Sequence, residues 1–234
     1  MNVIITGASR GVGYELVRHF AGDGPHTIYA ISRNRERLEI LKQNCLKDFP
    51  SAEIRIAAID LSNAAYIQEF AGMLKSENQS IDVLVNNAGA LVNKPFESLT
   101  ASDFDQVFDV NVKSVFQLIR DVKPMMKAGS HIVNISSMGG FQGSSKFPGL
   151  SLYSASKGAV AILTECLAEE FKNDKVSVNC LAIGAVQTEM LAQAFPGYEA
   201  PLKASEMAAY LLDFAKNGHH FYNGKILPVS LSTP

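Results

Sequence analysis

Val3-Ile4-Ile5-Thr6-Gly7-Ala8-Ser9-Arg10-Gly11-Val12-Gly13 is the stretch on which the fold turns. Its apolar, β-branched start predicts a strand over Val3–Thr6. An amphipathic pattern predicts a helix over Gly13–Ala21. Between them lie three glycines spaced G-x-x-x-G-x-G. Glycine tolerates positive φ, and without a Cβ it lets backbone approach a ligand closely. A helix start adds unbonded N–H groups and the positive end of the macrodipole. Strand, glycine turn and helix in this order make a cradle for a pyrophosphate. Glycines also make plain strand-to-helix turns, but the place after the first strand and before the first helix favours a nucleotide. Gly7, Ser9, Arg10, Gly11, Val12 and Gly13 are the expected contacts.

The pattern repeats outward from this unit. Thr27–Ser32, Ile54–Ile59, Val83–Asn86, His131–Ile135, Val176–Leu181 and Lys225–Val229 read as further strands, several of them near-continuous runs of Val, Ile, Leu and Ala. Such runs suit a parallel sheet covered on both faces. Helical patterns alternate with them over Arg35–Lys47, Ala64–Lys75, Ser102–Met126, Tyr153–Phe171 and Glu206–Ala215. The alternation predicts a Rossmann-like, doubly wound α/β fold, with a mostly parallel seven-stranded sheet and helices on both faces. Pro228 cannot donate to a ladder, which puts the last strand at a sheet edge. No linker or repeat interrupts the 234 residues, so one domain over 1–234 is expected.

Composition narrows the function. Apolar residues make 47% and charged residues 19%, which excludes a disordered chain. The formal net charge of −2 offers no general attraction to nucleic acid or an anionic membrane. Cys45, Cys166 and Cys180 are too few and too scattered for a disulfide framework or a zinc site. The adjacent His219 and His220 read as loop, and no metal is expected. No apolar run approaches the roughly 20 residues that span a bilayer, and no leader pattern precedes the first strand. A cytoplasmic protein is the expectation.

The second strand ends at Ser32-Arg33, about twenty residues past the glycine loop, where an acidic residue would hold the ribose 2′-hydroxyl of NAD. Arg33, Ser32 and Arg10 offer guanidiniums and a hydroxyl instead, which suit a 2′-phosphate. NADPH/NADP+ is therefore expected over NADH. Tyr153 and Lys157 stand four apart at the start of a helix, on one face. A tyrosine titrates near 10, so acid–base work near neutrality needs a shift of about three units, roughly 4 kcal/mol. A neighbouring ammonium favours the phenolate. Polar residues also close the third, fourth and fifth strands, as Asp60-Leu61, Asn86-Asn87-Ala88-Gly89 and Ser136-Ser137, and Asn111 interrupts a long helical pattern. Each has a bland reading as strand or helix punctuation. Their joint order at successive strand ends does not.

With TGASRGVG, DL, NNAG, the helical Asn, SS and YSASK in that order, the chain resembles the short-chain dehydrogenases/reductases from Met1 to the last strand. The resemblance implies the following roles. Tyr153 is the general acid that protonates a carbonyl oxygen. Lys157 lowers its pKa and holds the nicotinamide ribose. Ser137 orients the carbonyl, with Ser136 as the alternative. Asn111 holds a water in a proton relay through Lys157. Asp60, with Leu61 beside it, meets the adenine, and Asn87, Ala88 and Gly89 flank the nicotinamide-side ribose. Val186 backbone and Thr188 hold the carboxamide end, next to Gly184.

Three departures qualify the resemblance. Ile183-Gly184 replaces the usual Pro-Gly, which implies a modest change in loop stiffness. The Ser137-to-Tyr153 gap is longer than usual, with the excess in Gly143–Leu152. The segment after Thr188, the family's lid, is short. Phe141, Phe147, Leu150, Leu152, Met190 and Phe195 are candidate pocket residues. A small-molecule carbonyl substrate follows, and by analogy a homodimer or homotetramer, with Ala155, Gly158, Ala159 and Ala161 permitting close helix approach. The alternatives are a sepiapterin- or pteridine-type reductase, a 3-oxoacyl thioester reductase served by a basic rim of Lys94 and Lys146, alcohol oxidation with NAD, and a catalytically silent NADP(H)-binding sensor or scaffold.

Overall fold

A computed structural model describes residues 1–231. Along the chain run β1 (Asn2–Thr6), α1 (Gly11–Asp23), β2 (Thr27–Ser32), α2 (Arg35–Asp48), β3 (Glu53–Ala58), α3 (Ala64–Ser76), β4 (Ile81–Asn86), α4 (Ala101–Phe108), α5 (Ser114–Val122), β5 (Met126–Ser137), α6 (Ser151–Glu170), β6 (Ser177–Ile183), β7 (Val186–Gln187), α7 (Glu189–Ala194), β8 (Leu202–Lys203), α8 (Ala204–Asn217) and β9 (Ile226–Val229). Seven strands form one parallel sheet in the order β3-β2-β1-β4-β5-β6-β9, while β7 and β8 pair by themselves. The expected α/β architecture is present. β9 pairs only with β6, and Pro228 stands opposite Ala182 on that edge strand.

The strands alternate between two buried faces. In β1, Val3 and Ile5 face a core with α1, α2 and α8, while Ile4 faces one with α3, α5 and α6. In β2, Ile28 and Ala30 face the first core, and Tyr29 and Ile31 the second. This two-sided burial is why the strands read as unbroken apolar runs. Each fully buried Leu, Ile or Phe here, such as Leu16, Phe20 or Ile31, contributes about 1.5–3 kcal/mol of transfer free energy.

β7, α7 and β8 fall where no element was expected, and two further elements depart from expectation. The single helix predicted over Ser102–Met126 is α4 and α5 joined by a π turn at Asp109–Lys113, followed by one 3₁₀ turn at Lys123–Met125. Pro124 lacks an N–H and disfavours helix at the residue before it, which ends α5 at Val122. β5 also starts five residues earlier than expected, at Met126. Its first half, Lys127-Ala128-Gly129-Ser130, has no strand-like pattern, and the pairing with β4 shifts register there.

The connections reverse between β1 and β4, so the loops after those strands diverge around a crevice. In open α/β sheets this is where ligands bind.

Candidate active site

The glycine loop lies at that crevice. Gly7 and Gly11 have φ of +69° and +56°, the left-handed region that glycine enters freely. A Cβ on Gly13 would lie 2.4 Å from the Gly7 carbonyl oxygen, so this position admits no side chain. Asn87 ties the crevice together. Its Nδ2 donates to the Thr6 carbonyl at 2.9 Å, and the N–H groups of Asn87 and Ala88 donate to the Thr6 hydroxyl at 3.0 and 2.9 Å. α1 starts at Gly11 with no side chain capping its N–H groups. An uncapped helix start beside a surface cleared of Cβ atoms fits a dinucleotide pyrophosphate.

At the adenosine end, the Ser32 hydroxyl donates to Ser9 at 2.8 Å. Arg33 is exposed and has no ion-pair partner among the described residues. Arg10 is already engaged. Its Nη1 lies 3.0 Å from the Glu189 carboxylate, which also pairs with Arg37 at 3.2 Å. Asp60 accepts from the Ser62 N–H and hydroxyl at 3.0 and 2.8 Å, while Leu61 is buried. The cap of α3 is Asn63, not Asp60.

The reactive groups meet at the carboxyl end of β5. Tyr153 stands in the first turn of α6, and Lys157 follows one turn on, 4% exposed. Lys157 Nζ donates to the Ile135 carbonyl at 2.8 Å and lies 5.9 Å from the Tyr153 ring centre. Burial brings the Lys157 ammonium down to about 8. Burial also holds the Tyr153 phenol above its ordinary range, with the Ser137 hydroxyl opposing. The expected depression of Tyr153 by Lys157 is therefore not what this arrangement produces. The ammonium is spent on a backbone carbonyl, and desolvation dominates.

The two serines separate clearly. Ser136 is 2% exposed and donates to the Lys157 carbonyl at 2.8 Å, which makes it packing. Ser137 faces Tyr153, and its hydroxyl accepts from the Gly139 N–H at 3.1 Å. Asn111 sits in the π turn, 1% exposed. Its Oδ1 accepts from the Ala90 N–H at 2.7 Å, and its Nδ2 donates to the Ala90 carbonyl and the Ser156 hydroxyl, both at 2.9 Å. Both N–H groups of that amide are used, while its oxygen accepts one bond. Ser156 in turn donates to the Tyr153 carbonyl at 2.7 Å, linking the π turn to the tyrosine.

Val186 lies in β7, paired with Leu202. Thr188 caps α7 through the Leu191 N–H and reaches to 3.2 Å of where a Cβ on Gly11 would lie. Gly184 donates its N–H to the Val229 carbonyl and packs on Ser230. Beside Tyr153, a cleft of about 580 Å³ is lined by Phe96, Phe147, Leu150 and Ser154, among others. Of the six candidate pocket residues, Phe147 and Leu150 line it. Phe195 packs edge-on against Phe147 at 5.9 Å. Of the expected basic rim, Lys146 lines the cleft with no carboxylate partner among the described residues, whereas Lys94 is paired. Lys94 pairs with Asp103 at 2.7 Å, and Lys146 donates to the Phe141 and Ser144 carbonyls at 2.7 and 3.0 Å.

Residues 1–199 match the short chain dehydrogenase family model. This protein is a short-chain dehydrogenase/reductase. It is 31% identical to a 3alpha-hydroxysteroid dehydrogenase from Mediterraneibacter gnavus, over 97% of this chain and 94% of that one. It is 32% identical to a tropinone reductase homolog from Arabidopsis thaliana over 85% of this chain, spanning 61% of that relative's length. A levodione reductase structure superposes with a TM-score of 0.87, at 28% identity, covering 97% of this chain and 95% of that one. Membership makes this short-chain dehydrogenase/reductase an oxidoreductase that binds a nicotinamide cofactor. No helix among its described residues is long and apolar enough to cross a membrane.

Sequence reasoning missed Glu189 and Arg37, whose pairing joins α2 and α7 across 152 residues. It also missed His131, buried on β5 against Asn179 and the Ala215 carbonyl. No local signal marks either arrangement.

Proposed function

We propose that this chain is an NADPH-dependent reductase that converts a ketone or aldehyde to an alcohol, with Tyr153 as general acid. The observation that carries the reading is the convergence of Tyr153, Ser137 and Lys157 at the carboxyl end of β5, across Gly89 from the glycine cradle. When bound, the reduced nicotinamide would supply the hydride. Ser137 donates to the carbonyl oxygen and orients it. Tyr153, held protonated by burial, gives its proton to the same oxygen as negative charge develops there. Lys157 would anchor the ribose and replenish the proton through a water held at Asn111. Gly7, Gly11, Val12 and Gly13 hold the pyrophosphate, while Asp60, Leu61, Asn87 and Ala88 border the nucleoside ends. Gly184, Val186 and Thr188 border the carboxamide.

Preference for the 2′-phosphate rests on Arg33, exposed with no carboxylate partner, beside Ser9 and Ser32. The aromatic, proline-edged cleft supports an apolar substituent on the carbonyl. Pairing of Lys94 with Asp103 weakens the basic rim that a carrier-protein thioester would use, while Lys146 at the cleft still supports it. Exposed Phe104, Phe116 and Ile162 on α4, α5 and α6 support a homodimer or homotetramer.

The test is loss of reduced nicotinamide absorbance, with NADPH and NADH in parallel, over ketones, diketones and aromatic aldehydes. Turnover favouring NADPH and falling about a hundredfold or more in Tyr153→Phe supports the reading. Turnover unaffected by that substitution overturns it.

A further inference from the structure

We propose that Glu189 is a specificity-determining residue: it weakens the hold on a 2′-phosphate by occupying Arg10 and Arg37, guanidiniums that follow Ser9 and Ser32-Arg33 closely in the chain. The inference rests on the NADPH reading above and names a residue that opposes it. Arg10 belongs to the phosphate loop, and Arg37 lies in the first turn of α2, just past Ser32 and Arg33. One carboxylate bridges them, at 3.0 and 3.2 Å. Planar guanidiniums bind carboxylate and phosphate through the same paired N–H groups, so one anion takes donors from the other. A phosphate with close to two charges outcompetes a single carboxylate. It then leaves Glu189 facing an anion at short range. The carboxylate therefore costs affinity for a 2′-phosphate and leaves adenosine 5′-phosphate untouched.

The same residue reaches the substrate side. Glu189 opens α7, and the far end of that helix, the Ala194 carbonyl, accepts from Asn93 Nδ2 at 2.8 Å. The next residue, Phe195, packs on Phe147 at the cleft. α7 is thus held at one end by the arginines and at the other by the substrate mouth.

The decisive measurement is calorimetric binding of 2′,5′-ADP and 5′-AMP to the wild type, Glu189→Gln and Arg37→Gln. Glu189→Gln keeps the size and removes the charge. It should tighten 2′,5′-ADP about fivefold, the worth of two half-exposed ion pairs, and leave 5′-AMP unmoved. Arg37→Gln should weaken 2′,5′-ADP alone. Equal changes for both ligands in Glu189→Gln, or none, with the wild type still preferring 2′,5′-ADP, overturn the inference and spare the NADPH reading. A wild type and a Glu189→Gln variant that both fail to distinguish the two ligands overturn both.

Discussion

Ser136 and Ser137 are neighbours with the same hydroxyl, yet they face different surroundings. The Ser136 hydroxyl is buried on the Lys157 carbonyl, and Ser137 faces Tyr153. Ser137→Ala should lower kcat about a hundredfold with little change in melting temperature. Ser136→Ala should cost about 1 kcal/mol of stability and spare most of kcat. Steady-state kinetics and thermal melts on the pair check this, and the reverse result would exchange the two roles. Lys157 carries the opposite trade. Burial disfavours its charge, with the pKa falling from 10.5 to about 8. A base with a depressed folded pKa is least favoured where it is charged, so the penalty is in force at pH 7 and fades as pH rises through that range. At neutrality it amounts to about 3 kcal/mol. Lys157→Met removes the penalty and loses one hydrogen bond. The variant should melt a few degrees higher while turnover disappears, which is readable by calorimetry at pH 7. A lower melting temperature would mean that the bond to Ile135 outweighs desolvation.

At the scale of elements, the cradle depends on how close α1 comes to the turn after β1. Gly13→Ala places a methyl 2.4 Å from the Gly7 carbonyl oxygen and 2.5 Å from Asn87 Nδ2. Backbone cannot move aside cheaply, so the variant should lose about 1–3 kcal/mol of stability and weaken NADPH binding tenfold or more. Fluorescence titration of NADPH measures the second effect, and unchanged affinity would mean that the loop relaxes without harm. The π turn is a second such device. It carries Asn111, whose side chain bonds both backbone groups of Ala90. The residues after β4 were legible as a polar turn, but the partner that holds them was not, because it lies 21 residues away.

At the scale of the whole molecule, a buried polar residue outside the site is His131, where the β5 and β6 strands meet α8. Desolvation brings it from 6.5 to about 4. The groups around it are the Ala215 carbonyl, the Asn179 amide and the His219 ring. A depressed histidine is neutral in the fold and protonated in the unfolded chain. Stability is therefore full above pH 6.5, declines as pH falls toward 4, and changes no further through this group below that. The loss across the window is about 3 kcal/mol. Asp103, held near 2 by Lys94 and Thr100, acts only below this window. Chemical denaturation at pH 7 and pH 4.5 should show the decline, and His131→Gln should flatten it. An equal slope in that variant would assign the acid sensitivity elsewhere.

Sequence by itself determined the sheet, because strands buried on both faces must be continuously apolar, and period and burial are local properties of the chain. It also marked the glycine loop, the Tyr153–Lys157 pair and the Ser136–Ser137 strand end, since each needs particular residue types at short spacing. What only the tertiary structure decided are the contacts between distant segments. Which serine faces the tyrosine, where the lysine spends its charge, and that Glu189 sits between Arg10 and Arg37 all follow from how β5, α6, α2 and α7 pack. Hydrogen bonds and ion pairs act over about 3 Å, and residues far apart in the chain carry no local mark of who their partner will be.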